Sequence, residues 1–248
     1  MFSLAGKVAL VTGGSRGIGR ATAEVLAELG AHVVLTYVGN EAAAAEAVTA
    51  IERASGKAEA VRLDTADTES CDKIIAEVAK RLGRLDVLVC NAGISIDALV
   101  VRLKDEDFER TLSVNLKGAV ACSRAAIKVM MRAKSGRIVF VSSVVGETGN
   151  AGQTAYAASK AALLGVMKSL AREYATRGIT VNAVTPGYVD TDMTSALSPE
   201  IREKMLVGVP LGRTATAREI GAAVAYLASD EAGYVTGHAL RVNGGMYM

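Results

Sequence analysis

Proline, cysteine and histidine are all scarce in this 248-residue chain, at three, three and two residues. Cys71, Cys90 and Cys122 are widely spaced with no CxxC, and only His32 and His238 could join them. That spacing offers no Cys/His metal centre, and no metal is expected. An odd, scattered set of thiols reads instead as small buried side chains in a reducing, cytoplasmic compartment. An excess of charge of one sign is missing too: 28 basic against 26 acidic residues leave a net +2, no footprint for nucleic acid. No uncharged apolar stretch approaches about 18 residues, so no membrane span is expected. The opening MFSLAGKVALVTGG is too short in its apolar part for a signal peptide.

What the chain does contain is glycine, 25 residues, in a sequence that is 50% hydrophobic and 22% charged, as soluble globular proteins are. Short Val/Ile-rich runs alternate with longer amphipathic stretches. Strands are predicted at 7–13, 31–38, 57–64, 85–93, 136–143 and 178–187, with a short last one in GHALRVNGG. Helices are predicted between them, one of them over roughly 104–133 with a break near its middle. Such alternation implies right-handed βαβ units and a parallel sheet covered on both faces, and the almost continuous apolar strands agree. No repeat or linker interrupts it. The fold class expected is therefore α/β: one Rossmann-type, doubly wound domain over 1–248, with a parallel seven-stranded sheet.

TGGSRGIG, residues 12–19, follows the first strand and opens the first helix. Gly13, Gly17 and Gly19, with Ser15 and Ile18 between them, allow a tight turn in which a phosphate approaches the backbone at a helix N-terminus. Gly13-x-Ser15-x-Gly17 also spells a nucleophile elbow, and an Asp and then His238 follow in hydrolase order. That reading would put the elbow on the first strand and leave a later Tyr/Lys pair unexplained. An NAD site carries a carboxylate near the end of the second strand. Here that strand ends Leu35-Thr36-Tyr37-Val38-Gly39-Asn40, while Arg16 stands inside the glycine loop. The missing acid and the added guanidinium, a bidentate donor for a 2′-phosphate, both point to NADP(H).

The run TAYAASKAALLGVMKSLAREYA sets Tyr156 and Lys160 one helical turn apart. A phenol ionises near pH 10, and bringing it to about 7 requires roughly 4 kcal/mol in favour of phenolate. A neighbouring ammonium is the expected source.

These motifs resemble those of the short-chain dehydrogenases/reductases, and the resemblance spans essentially the whole chain. TGGSRGIG is similar to the family's TGxxxGxG, Cys90-Asn91-Ala92-Gly93 to its NNAG, and Tyr156-x-x-x-Lys160 to its YxxxK. Ser143 stands thirteen residues before Tyr156, Asn115 falls at a helix Asn, and Pro186-Gly187 with Thr191 resembles PGxxxT. SSVVGETGNAGQTAYAASKAAL and the ending VNGGMYM are closer still to bacterial 3-oxoacyl-[acyl-carrier-protein] reductases.

The resemblance implies NADPH-dependent reduction of a 3-oxoacyl thioester in fatty-acid elongation by a homotetramer. Acetoacetyl-CoA or small-ketone reduction is the alternative, and a non-catalytic nucleotide-binding scaffold a more distant one. It implies catalysis by Asn115, Ser143, Tyr156 and Lys160, with Asn115 anchoring a water behind Lys160. Gly13, Ser15, Arg16, Gly17, Ile18, Gly19, Tyr37, Asp64, Asn91, Ala92, Gly93, Tyr156, Lys160, Pro186, Gly187, Val189 and Thr191 would bind the cofactor, Asp64 at the adenine. The connection from about Thr191 to Pro210, with a short helical piece SPEIREKML, reads as a cover over substrate. Arg132, Lys134 and Arg137, with Arg172 and Arg177, offer a basic patch on which an acidic acyl carrier protein would dock.

Overall fold

The computed structural model describes residues 2–190 and 206–248. The predicted strands form a sheet of seven, every pairing parallel, and each is shorter than its apolar run. They are β1 (Val8–Val11), β2 (His32–Tyr37), β3 (Lys57–Arg62), β4 (Val87–Cys90), β5 (Gly136–Val141), β6 (Ile179–Pro186) and, at the far edge, β9 (Ala239–Val242). Their order is β3-β2-β1-β4-β5-β6-β9. The chain steps outward from β1 to β3, then returns to place β4 on the other side of β1. That reversal creates the crevice where open α/β sheets bind ligands.

The helices divide between the two faces. α1 (Gly17–Glu28), α2 (Glu41–Arg53) and α8 (Ala217–Ala228) cover one. α3 (Thr68–Leu82), α5 (Gly118–Ala133) and α7 (Thr154–Tyr174) cover the other. Burial on both sides explains why β1, β4 and β6 are buried at every position and read as unbroken hydrophobic runs. At about 25 cal/mol per Å² of apolar surface, these two layers supply most of the drive to fold.

The helix predicted over 104–133 is three pieces. α4 (Asp105–Leu112) runs into a wide π turn over Ser113–Lys117 and then into α5. The extra residue in that turn carries Asn115 into the interior, where it is 1% exposed, a use typical of π turns at functional sites. Two features escaped the sequence reading because each spans too few residues to show a period. One is the four-residue helix α6 (Val145–Thr148). The other is a parallel pair formed by β7 (Val189–Asp190) and β8 (Ala215–Thr216). All but the last residue of the expected helical piece SPEIREKML and most of the expected cover lie outside the described residues, as does Thr191.

All three cysteines are buried thiols, as expected. Among the described residues no helix is long and apolar enough to cross a membrane and no acidic, His or Cys group could hold a metal.

Candidate active site

Every site residue inferred from sequence and described here, apart from the docking patch, lies at or just beyond the C-terminal end of a parallel strand, or on the helices that pack there. The glycine loop follows β1, Tyr37 ends β2 and Asp64 lies two residues beyond β3. Asn91–Gly93 follow β4, Ser143 follows β5, and Pro186 to Val189 close β6 and open β7.

The loop after β1 is shaped by close approach. Gly13 has φ +64°, and a Cβ there would lie 3.0 Å from Ala92 Cα. A Cβ on Gly19 would overlap the carbonyl of Gly13 and the amide of Asn91, so no other residue fits. Asn91 is what presses from that side. Its Nδ2 donates to the carbonyls of Thr12 and Gly13, both at 3.0 Å. Thr12 Oγ1 accepts from the backbone N–H of Asn91 and of Ala92, each at 3.0 Å. Asn91 therefore braces the glycine loop through its side chain, a role the sequence reading did not assign; Thr12 shares it.

This loop fits a dinucleotide's phosphates on its own evidence. Helices α2, α3 and α8 open on side-chain caps from Asn40, Asp67 and Thr216. α1 opens on Arg16 with no side-chain cap and no acid in its first turn, leaving N–H groups and the positive end of the helix dipole unanswered. Arg16 is exposed, and the ends of β2 and of the loop offer it no carboxylate. Asp64 is also exposed, with its Oδ1 accepting from Ala66 N at 3.0 Å, a turn contact within the edge where adenine was expected. Ile18 packs against the core behind the loop, and Tyr37 half-covers the same layer.

On the other side of the crevice, α7 carries Tyr156 and Lys160. Lys160 is 4% exposed, and its Nζ donates to the Val141 carbonyl at 2.8 Å. Burial brings its pKa down to about 8. The ammonium lies 5.6 Å from the centre of the Tyr156 ring. Ser143 lies close enough to the Tyr156 phenol to hold its pKa down, and its Oγ accepts from Val145 N at 3.2 Å. Ser142, the other serine of the pair, is spent elsewhere: its Oγ donates to the Lys160 carbonyl at 2.8 Å. The thirteen-residue spacing thus selected the serine that faces the phenol.

One expectation changes here. Lys160 was to draw the phenol toward neutrality, yet Tyr156 is pushed above its ordinary value. Burial is the main cause; the nearby Ser143 hydroxyl opposes it, and Asp97 adds a smaller push in the same direction as burial. The ammonium is turned to the Val141 carbonyl beyond the ring and does not offset the dry surroundings. The side chain of Asn115, the residue read as a water anchor, is also engaged by protein. Oδ1 accepts from Ile94 N at 2.8 Å, and Nδ2 donates to Ile94 O at 2.9 Å and Ser159 Oγ at 3.0 Å. Asn115 ties the loop after β4 to α7, and Ser159, read earlier only as a small residue, is the receiving end.

Gly93 sits over this junction, since a Cβ there would lie 3.3 Å from Asn115 Oδ1 and 3.4 Å from Lys160 Nζ. Cys90, the departure from the family's first Asn, is buried, with its thiol pushed up to about 12 mainly by burial. At the outlet of β6, the Pro186 carbonyl accepts from Val144 N at 2.8 Å. Gly187 lies too close to Asn243 for a side chain, and Val189 pairs with Ala215.

The basic patch is elsewhere. Arg132, Lys134, Arg172 and Arg177 are exposed at the N-terminal edge of the sheet, where β5 and β6 begin. Arg137 does not belong to it: the side chain is 13% exposed, donating to the Ser229 carbonyl at 3.2 Å and pairing with Asp230 at 3.5 Å.

Burial of Lys160 has a stability consequence. The ammonium ionises near 10.5 in an open chain and about 8 here. Between those values the unfolded chain binds the extra proton, so stability rises with pH across that window. Below it, the buried charge costs about 3 kcal/mol. Lys160→Met should therefore raise the unfolding free energy at pH 7 by about 2–3 kcal/mol and flatten the rise between pH 8 and 10.5. Urea denaturation across that range reads both; a destabilised variant with the slope intact would contradict the assignment.

Comparison with known proteins agrees with this geometry. A family model described as enoyl-(acyl carrier protein) reductase matches residues 13–247. The chain is 49% identical over 243 residues to the 3-oxoacyl-[acyl-carrier-protein] reductase FabG of Escherichia coli K12, covering 98% of each chain. It is 48% identical over 247 residues to FabG of Vibrio harveyi, covering both completely. A solved structure described as a short-chain alcohol dehydrogenase from Sinorhizobium meliloti 1021 superposes with a TM-score of 0.95 at 39% identity, over 99% of this chain and 98% of that one. With its parallel sheet, glycine loop and Ser143–Tyr156–Lys160 cluster, the chain belongs to the short-chain dehydrogenase/reductase family.

Proposed function

We propose that this chain is an NADPH-dependent 3-oxoacyl-[acyl-carrier-protein] reductase of fatty-acid elongation. The observation that carries the reading is the buried Lys160 ammonium 5.6 Å from the centre of the Tyr156 ring, with Ser143 at the same end of the sheet, in a chain matched end to end by reductases of that name. NADPH, held through its phosphates at the glycine loop, would supply hydride to the C3 carbonyl. Ser143 donates a hydrogen bond to the carbonyl oxygen, and Tyr156 passes its phenolic proton to that oxygen as the alcohol forms. Lys160 faces the phenolate that remains. Asn115 keeps α7 in register with the loop after β4, and that loop with Gly187 and Val189 walls the crevice. The family model's description favours a second reading, reduction of a 2-enoyl thioester.

Turnover of NADPH with 3-oxoacyl and 2-enoyl thioesters of one carrier separates the two, and the 3-oxoacyl substrate is expected to react alone. Tyr156→Phe should reduce kcat by about 10²–10⁴ while leaving nucleotide binding intact; near-normal turnover would remove Tyr156 as the acid.

Arg16 is the reason for preferring NADP(H), because an exposed guanidinium at an uncapped helix start matches a 2′-phosphate. Arg16→Glu is expected to raise KM for NADPH at least about tenfold with little change for NADH. Equal use of both nucleotides by the unaltered protein would defeat the preference.

The protein works in the cytoplasm as a homotetramer, and the acyl carrier protein docks on Arg132, Lys134 and Arg177. Gly178 has no room for a side chain against the Lys134 carbonyl, which sets Arg177 beside Lys134. Strands of six and eight residues, about 20 Å at 3.3 Å per residue, separate this patch from Ser143. Arg132→Glu with Arg177→Glu should weaken kcat/KM for the carrier thioester more than for its CoA analogue, and light scattering reads the tetramer. An equal effect on both thioesters would discard the patch.

A further inference from the structure

A cavity of about 420 Å³ lies against the crevice wall at the outlet of β6, a volume within the ordinary range of small-molecule sites. Its lining is mainly Tyr188, Val209, Pro210, Leu211, Ala215 and Val242. Tyr188 stands between Gly187 and Val189, which wall the crevice, and its carbonyl accepts from Ala215 N at 2.9 Å. Gly187 meets the lining directly. Its N–H donates to the Val242 carbonyl at 3.1 Å, and a Cβ there would lie 2.9 Å from Asn243 Cα, another lining residue. Cavity and crevice therefore share a wall. Another cavity, of about 250 Å³ between α1, α2 and Gly56, touches no residue of the crevice.

The charged and amide side chains of the larger cavity are engaged with protein. Arg213 donates to both oxygens of Glu219, at 2.9 and 2.6 Å. Arg241 Nε and Nη2 donate to Glu147 Oε1 at 3.0 and 2.9 Å, and its guanidinium lies 4.7 Å from the centre of the Tyr247 ring. Asn243 Nδ2 donates to the Tyr247 carbonyl at 2.9 Å, while its Oδ1 accepts from Gly245 N at 3.0 Å. Each guanidinium already faces a carboxylate, so the cavity offers no net positive charge to a phosphate. What it offers is apolar surface, which a hydrocarbon suits. The opposite rim of the crevice is polar. Ser95 Oγ donates to Asp97 Oδ1 at 2.5 Å, and Gln153 Nε2 reaches both carboxylate oxygens, at 3.2 and 3.1 Å.

We propose that the cavity behind Gly187 and Tyr188 holds the acyl tail of the substrate, and that Leu211 sets the chain length accepted. The inference rests on the reading of a 3-oxoacyl thioester as substrate. With the C3 carbonyl at Ser143 and Tyr156, tail and thioester arm leave in different directions. A tail laid over Ser95, Asp97 and Gln153 would take water from polar groups without replacing it, whereas the amides of the arm can bond there. In the cavity, each methylene removed from water strengthens binding about fourfold. Leu211 lines the cavity yet is 67% exposed, which places it at the mouth.

Leu211→Trp sets an indole across that mouth, and Leu211→Asp sets a charge there without added bulk. Leu211 is exposed and touches none of the catalytic groups, so both variants should reduce 3-oxobutanoyl-CoA within about twofold of the unaltered rate. For the twelve-carbon 3-oxoacyl-CoA, kcat/KM should fall at least about tenfold in both, with the eight-carbon thioester between. Calorimetry with dodecanoyl-CoA, which has no 3-oxo group to reduce, reads the cavity without turnover. It should bind at least about tenfold more tightly than acetyl-CoA, and either variant should remove that margin. Such a binding result supports the proposal even if 3-oxoacyl thioesters are not reduced, an outcome that would sink only the reading of the reaction. A loss equal at every chain length, or a margin that survives both variants, would overturn it.

Discussion

One ammonium group, that of Lys160, is buried where the parallel strands end, and the structure around it is arranged to keep it there. The Val141 carbonyl accepts its hydrogen bond at 2.8 Å. The Lys160 carbonyl accepts from Ser142, which pins the helix backbone to the strand end. Gly146 on α6 lies so near that a Cβ would stand 2.8 Å from the Lys160 carbonyl carbon. An uncompensated charge in such a place is expensive, and its pKa near 8 records the cost. A fold selected for stability alone would place Met or Leu there. Keeping Lys is the kind of local loss that marks a working site.

The same edge of the sheet explains how distant segments come to share that site. Parallel strands all end on one side, so loops separated by scores of residues meet without long excursions. The loops after β1 and β4 are locked together by Thr12 and Asn91, each bonding to the other's backbone. Asn115 then links the loop after β4 to α7 through Ile94 and Ser159. These locks run in series from the glycine loop to Tyr156, so the phosphate-sized turn and the phenol are held by one hydrogen-bonded frame. The π turn is part of it, because a regular helix through Ser113–Lys117 would direct Asn115 differently.

The legible part of this was carried by period and by rare local patterns. Buried strands announce themselves as apolar runs, and α3 was placed at Thr68–Leu82, the bounds observed, because its apolar spacing is regular and Gly83 ends it. Strand ends were overrun by one to three residues because apolar and small residues continue into the loops, as at Thr12-Gly13 and Asn91-Ala92. Side-chain partners were the harder part. Nothing in the spacing of Arg137 separates it from Arg132, yet packing sends one into Ser229 and Asp230 and leaves the other exposed. Asp97 and Gln153 lie 56 residues apart, and only the fold makes them neighbours. The direction of the Tyr156 shift was missed for a related reason: the Lys160 charge was counted from the helix, whereas desolvation comes from the whole crevice.

That direction is informative about how the pair would work. At rest the phenol holds its proton more firmly than in water, while the ammonium holds its own less firmly. Both groups stand nearer their neutral forms than free side chains would, as burial requires. In the proposed reduction, proton transfer from Tyr156 creates the missing negative charge beside the waiting positive one. Each ionisation then favours the other, and the two titrate as a unit. The attraction is absent before reaction and grows as the proton leaves, so it lowers the barrier without tightening the resting state. A lysine that had already pulled the phenol to neutrality would have spent that stabilisation before substrate arrived.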